Sequence, residues 1–374
     1  MVRSLMLAAG LIVSPLLLAE VSEWRVSSDS FNPQQTPRLA VTRSGRPYVA
    51  YGDQTGRLLV RHPDASTQIL TEPRARAAGA VLDACGEHIY AAWLDGRPGE
   101  PPAVKLRALQ GGGAWSPPVL LDAVSRPLPR IRLAGDAEGQ VSVVWLGDAP
   151  IAAGAGASAP DGTSSYHLYA RRSRDGGQSW GDVQRLTAGF DLGFWPALSM
   201  AAGRAHVFAD VRQAGETLVV HAQSDDALGW TAAEPIKTVG GVLLIAATEA
   251  HEEPLVVWLG TYGGQYRLES AARRDGEWKT YDFPESDRYD IGSMDLVARG
   301  EHVYRVFSAR SARQTDQSRK NHVFFTRSSD GGLSWEPIRP FRRYPFDTTQ
   351  ANFPQIALGP DERPVVAWND YRNL

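Results

Sequence analysis

The chain has 374 residues, 22% of them charged and 43% hydrophobic, with a formal net charge of -3. That length is enough for two ordinary domains or for one large all-β domain. The mild negative balance excludes a nucleic-acid binder, and a single cysteine, Cys85, excludes an intramolecular disulfide, so stability must come from burial.

The first element in chain order is a leader. Arg3 is followed by an apolar run from Leu5 to Leu18, with Ala19 as a small residue before a cleavage point. The run is too short for a membrane span, and no later stretch is long and apolar enough, so residues 1–19 read as an export signal and the chain as not membrane-spanning. The expected location is the periplasm or the outside. Residues 20–374 read as one domain.

Next come short runs rich in β-branched and aromatic residues, which is the composition of strands. "SEWRVSS" (Ser22 to Ser28) precedes "TPRLAVT" and "RPYVAYGD", which ends at Asp53. "VLDACGEHIYAAWLDGR" reads as a hairpin, with Cys85 as a small buried residue rather than a reactive one. "PRIRLAG" and "QVSVVWLGD" follow, then "WPALSMA" and "AHVFADVR", "PLVVWLG", "HVYRVFSAR", and last "FPQIALG" and "RPVVAWNDYR". The second member of each pair shares an aromatic: Tyr51, Trp93, Trp145, Phe208, Trp258, Phe307 and Trp368. These recur at propeller-blade intervals. A third strand follows most pairs, such as "YHLYARRS" or "HVFFTRSS", and then a fourth. Repeats of four antiparallel strands predict an all-β β-propeller. Seven hairpins predict seven blades, with six as the alternative. The last blade would be closed by the N-terminal strand Ser22–Ser28, which removes exposed sheet edges.

Between third and fourth strands lies a repeated string, "SRDGGQSW" (Ser173 to Trp180) and "SSDGGLSW" (Ser328 to Trp335). Glycine tolerates the positive φ of a sharp reversal. Asp175 and Asp330 are placed to accept backbone N–H groups within the turn, and Trp180 and Trp335 to pack beneath the blade. Weaker versions occur at "SDDALGW", "RDGEW" and "QGGGAW".

These strings resemble the Asp-box, or bacterial neuraminidase repeat, of the sialidase superfamily, and both copies match its Ser/Thr-x-Asp-x-Gly-x-Ser/Thr-Trp pattern. The resemblance implies a propeller whose Asp-boxes lie on the face opposite the ligand site. It also implies a carboxylate held by three arginines, an Asp acid/base, and a Tyr nucleophile paired with a Glu. On these residues, Arg38 in "TPRLA" corresponds to the first arginine and Arg310 to a later one. Asp53 is then the candidate acid/base and Tyr344 the candidate nucleophile. Glu252 and Glu253 fall in a hairpin turn on the wrong face, so the catalytic set is incomplete.

The strand order itself puts a recurring acid and arginine on the face opposite the repeated turns: Asp95 and Arg97, Asp210 and Arg212, Asp370 and Arg372. Two readings stand. Each pair pins neighbouring blades locally, or the arginines converge over the channel and present their donor forks to an anion. The eight scattered histidines, with no H-x-H or HExxH, predict no metal site, and no cofactor is expected. The loops Gly147 to Tyr166 and Arg310 to Asn321 lie on the same face. The expected partner is a glycan or anionic small molecule, or a protein. The expected function is ligand binding by an exported propeller, with glycoside hydrolysis as the alternative.

Overall fold

In the computed structural model the described residues are 9–11, 26, 36–124, 128, 130–147, 166–187, 191–192, 195–225, 229–283, 288–311, 320–341 and 350–370. Their named elements are all strands, and no helix among them is long and apolar enough to cross a membrane. Six sheets, blades 1 to 6, hold four antiparallel strands each in chain order, the number given by the six-blade alternative. Blade 4 carries an additional short strand, Asp191–Leu192, against its second strand. The seventh hairpin is present as a smaller sheet of three strands, whose inner strand lies between those of blades 6 and 1 and closes the ring.

The inner strands of blades 1 to 6 are Arg38–Val41, Arg76–Cys85, Ile131–Gly135, Ala197–Ala201, Val242–Ala250 and Tyr289–Arg299, and that of the closing sheet is Ala351–Leu358. The second strands are Pro47–Gly52, His88–Gly96, Val141–Gly147, Arg204–Gln213, Glu253–Tyr262, His302–Ser311 and Pro364–Asp370. A second strand has a blade on each side, so it lacks the alternation of a half-exposed strand. Val141–Gly147 is buried at every residue. The shared aromatics fill these seams: Trp93 packs on blade 1, Trp145 on blade 2, Trp258 on blade 4 and Phe307 on blade 5. Phe208 differs. It turns toward blade 5, while Val207 and Ala209 face blade 3. Its side chain therefore belongs to the opposite face of the strand, a one-residue change of register that a shared aromatic cannot reveal. Cys85 is buried, and burial pushes its thiol well up, as expected of a packing residue.

The chain ends do meet, but through a different segment. The third strand of the closing sheet is Ala9–Leu11, paired with Val365 to Ala367, and it lies within the stretch read as a leader. Of the predicted Ser22–Ser28 strand only Val26 is described; it packs on Leu39, Val41, Val49 and Ala367 at the seam of blade 1 and the closing sheet.

The two repeated turns agree bond for bond. Ser173 Oγ accepts from Gly177 N at 2.8 Å and donates to Asp175 Oδ1 at 2.8 Å, and Ser179 N donates to the same oxygen at 2.8 Å. Ser328, Asp330, Gly332 and Ser334 repeat the pattern at 2.9, 2.7 and 2.9 Å. Trp180 Nε1 donates to Gly177 O, and Trp335 Nε1 to Gly332 O. The paired glycines have φ between 71° and 90°. Each turn lies against the preceding blade: Gly177 beside Tyr90, Gly332 beside Leu255.

Candidate functional site

The seven inner strands surround one cavity of about 580 Å³. An inner strand pairs on one edge only, so its other edge offers unpaired N–H and C=O groups to the channel. Side chains from neighbouring blades satisfy several of them. Arg38 Nε donates to Ala80 O at 2.8 Å, Gly135 N donates to Asp83 Oδ2 at 3.0 Å, and Ile356 N donates to Asp295 Oδ2 at 2.9 Å.

Register places the polar groups in one rung. Arg38 is opposite Ala50, Arg132 opposite Val144, Asp295 opposite Val306 and Gln355 opposite Ala367. Each of those partners immediately precedes its sheet's shared aromatic. In blades 2 and 5 the same rung holds Val81 and Ala246. Arg38 Nη1 donates to Gln355 Oε1 at 3.0 Å across the ring closure. Arg130 lies two residues above Arg132 on the same side of the strand, with its guanidinium 4.2 Å over the Trp195 ring. Asp83 lies one step deeper, opposite Tyr90.

The electrostatics follow from low solvation and mutual charge. Burial, then the charges of Arg38 and Arg130, pushes Arg132 down to about 9. Burial lowers Arg38 as well; Asp295 opposes this and Arg130 adds to it. Burial raises Asp295 to about 6, against the Ile356 hydrogen bond and the two arginines, and raises Asp83 to about 7. Three arginines thus share this end of the channel with two carboxylates that ionise reluctantly. The mouth carries a positive excess beside an aromatic face.

Of the site residues expected from sequence, Arg38 is in this rung. Asp95 is buried in a seam network: it accepts from Trp93 Nε1 at 3.1 Å and Lys105 Nζ at 3.2 Å, with Arg97 Nε at 3.5 Å. Glu72 binds Arg97 and Lys105 from the connection between blades 1 and 2. Asp210 accepts from Trp195 N at 2.9 Å and so fixes the entry of blade 4. Arg310 pairs with Asp290, directly across the ladder. Arg212 is exposed at the end of its strand, and Asp370 closes the last strand opposite Ala351. The structure therefore places local pairing, the first of the two readings, at Asp95 and Arg97. Asp53 is buried, and its carboxylate accepts from Thr55 N, Thr55 Oγ1, Arg57 N and Arg57 Nε at 2.7 to 2.9 Å. Those bonds outweigh burial and hold its carboxyl below the usual range. Tyr344 and Arg372 lie outside the described residues, as do most of the two long loops. Glu252 is in the hairpin turn and Glu253 begins the strand that follows it, opposite Ala250.

Sequence reasoning missed Arg130, Arg132, Asp295 and Gln355. One signal was available: "RLA" occurs at Arg38 to Ala40 and again at Arg132 to Ala134, in the same place on two inner strands. A second pair was also missed. Tyr262 donates its hydroxyl to Glu269, which also binds Lys237 Nζ at 2.6 Å and Trp258 Nε1 at 3.1 Å. Tyr262 and Trp195 pack on the same cluster between blades 4 and 5. Among the described residues no group of His, Cys, Asp and Glu is arranged to hold a metal ion.

No family model matches the chain. No curated protein matches it either. Solved structures do. A protein of unknown function from Dyadobacter fermentans is similar with a TM-score of 0.51 at 11% identity, over 79% of this chain and 94% of that one. A Hadza microbial sialidase is similar with a TM-score of 0.50 at 11% identity, over 89% of this chain and 75% of that one. A Trypanosoma rangeli sialidase in complex with the inhibitor DANA gives 0.50 at 10% identity, over 90% of this chain and 58% of that one. At such identities the likeness is one of fold.

Proposed function

We propose that the chain is an exported, sialidase-like propeller that holds a glycan or other anionic, polyhydroxylated ligand at the channel mouth. The carrying observation is the rung itself. Arg38, Arg132 and Gln355 line a cavity of about 580 Å³, and Arg130 lies on Trp195 just above; Arg38 also donates to Ala80 O and Gln355, and Arg132 Nη1 to Ile131 O at 2.9 Å, so each guanidinium is held in place with part of its donor set engaged. Guanidinium forks suit carboxylates, and an indole beside them suits the apolar face of a sugar ring. The sialidases among the fold neighbours support the choice of ligand class by architecture only. The export leader is part of the same proposal. A glycan array of acidic and neutral sugars tests it. Retention of acidic glycans by the wild type, lost with Arg132→Ala and kept with Arg310→Ala, is the expected result. Equal retention by all three proteins contradicts it.

A second reading, glycoside hydrolysis, is favoured by one observation. In the family resemblance the nucleophile is a Tyr on a Glu, and Tyr262 on Glu269 is such a pair. Burial raises Glu269, against the charge of Lys237, which makes it a better base for a phenolic proton. In this reading Tyr262 competes with Tyr344 as nucleophile, while the acid/base named from sequence, Asp53, has both oxygens held by Thr55 and Arg57. Turnover of a fluorogenic sialoside that Tyr262→Phe abolishes and Tyr344→Phe spares favours the pair. No turnover of sialosides or other glycosides leaves the binding function alone.

A further inference from the structure

Charge balance inside the channel carries one step more, and it rests on the reading of the mouth as an anion site. We infer that an anion entering the channel mouth brings a proton with it, and that Asp295 is the group that receives this proton.

Asp295 is the carboxylate in the same rung as Arg38 and Arg132, and the charges of both act on it across the channel. One of its oxygens accepts from Ile356 N, which fixes it against the neighbouring sheet. The groups that face it across the channel are Arg38 from blade 1, Asp83 from blade 2, and Arg130 and Arg132 from blade 3. Gln355 comes from the closing sheet. The inner strands of blades 4 and 5 bring uncharged residues to this level, Ala197 to Ser199 and Ile245 to Ala246, and the remaining charged residues lining the cavity are Asp136, Glu249 and Arg299.

An incoming carboxylate is drawn to the same two guanidinium groups whose charges act on Asp295. Asp295 already titrates at about 6 because burial penalises its charge. A second negative charge on Arg38 and Arg132 removes part of the attraction that keeps it ionised, and its proton affinity rises further. A buffer acid or hydronium gives up the proton and is left as its conjugate base, and the proton ends on the Asp295 carboxylate as an O–H; no other bond forms or breaks. Below the free-state value the residue is protonated in advance, and the arginines are uncompensated when the ligand arrives. Affinity is therefore highest in acid and falls as pH rises through the free-state value.

The test is calorimetric titration with N-acetylneuraminate from pH 5 to 8, in non-anionic buffers of different ionisation enthalpy. The expected result is binding that weakens by as much as about tenfold per pH unit above pH ~6, with uptake of about one proton per ligand near neutrality. Asp295→Asn keeps an acceptor for Ile356 N; it should bind at pH 7.5 about as tightly as the wild type does at pH 5, with no proton uptake. Affinity independent of pH with no proton taken up overturns the inference and leaves the anion site standing. Undiminished uptake in Asp295→Asn assigns the proton to Asp83 and also overturns it. Absence of binding by both proteins at every pH overturns the inference and the anion site together.

Discussion

Arg38 on the first inner strand and Arg132 on the third occupy the same rung of the channel, each opposite the residue that precedes its blade's shared aromatic. Between them the second blade contributes only Val81 to that rung. Two guanidinium groups are thus separated by an apolar step and joined by a common cavity. Like charges in one poorly solvated space repel: after burial, Arg38 and Arg130 both lower Arg132, and Arg130 lowers Arg38. A ligand anion relieves that repulsion, and from this relationship the binding proposal follows.

Trp195 is expected to tune the site from above. Its ring supports Arg130 at 4.2 Å, and Asp210 holds its backbone. Trp195→Ala removes a cation–π contact of about 0.5–2 kcal/mol. Ligand affinity should fall several-fold, and the melting temperature should fall too because Trp195 packs on the cluster between blades 4 and 5. Unchanged affinity in a titration calorimeter would remove Trp195 from the account.

Asp95 is expected to matter for stability and not for binding. It is almost fully buried and serves as acceptor for Trp93 and Lys105. Asp95→Ala leaves the Trp93 indole N–H without its partner and the Lys105 ammonium with Glu72 alone, a loss of about 1–3 kcal/mol. Chemical denaturation should report a large loss, and glycan retention of the surviving folded protein should be normal. The reverse pattern would return Asp95 to the ligand site.

The repeated turns give an ordered pair of outcomes. Both Gly177 and Gly332 have positive φ, so alanine is strained at each. A Cβ on Gly332 would meet Leu255 Cδ2 at 2.8 Å, whereas one on Gly177 would meet Tyr90 Cε1 at 3.5 Å. Gly177→Ala should cost about 1 kcal/mol from the backbone, and Gly332→Ala that amount plus about 1–3 kcal/mol for overpacking. Equal melting temperatures for the two variants would contradict this packing of the turns.

A buried histidine pair should make blade 4 sensitive to acid. His206 Nδ1 and His221 Nε2 are 2.9 Å apart, and His221 Nδ1 is 3.1 Å from Glu234 Oε1. Burial leads in pushing His206 down to about 3 and His221 down to about 4, from 6.5. The unfolded chain therefore binds more protons than the native one below pH 6.5. The stability these residues confer as neutral rings is complete above 6.5 and is lost as pH falls toward the native values, by about 1.4 kcal/mol per unit for each ring. Asp83 and Asp295, whose native values are raised, work in the opposite direction. The informative comparison is thus between the wild type and His206→Gln with His221→Gln. The penalty of that double variant at pH 7.5 should shrink by a few kcal/mol by pH 5. A penalty independent of pH would show that the rings titrate in the fold as they do in the unfolded chain.

The propeller was legible because its signals are local and repeated. Runs of β-branched residues, hairpin turns and two nearly identical Gly-rich strings each specify backbone geometry within a few residues. Phe208 shows where that stops: it occupies the expected strand but faces the other seam, a matter of register rather than composition. The site was less legible for the same reason. Asp95 and Arg97 stand out as neighbours in sequence, and neighbours in sequence pair with one another. Arg38, Arg132, Asp295 and Gln355 are scattered over more than three hundred residues, and only the closure of the ring brings them to one level. Asp53 looked available because a lone acid at a strand end gives no hint that Thr55 and Arg57 will occupy both its oxygens.

The most direct test of the account is a crystal structure of the protein soaked with an acidic monosaccharide. The account predicts density for its carboxylate within hydrogen-bond distance of Arg38 and Arg132, with the sugar ring toward Trp195. Density elsewhere on the molecule with an empty mouth, or none at a saturating concentration, contradicts it.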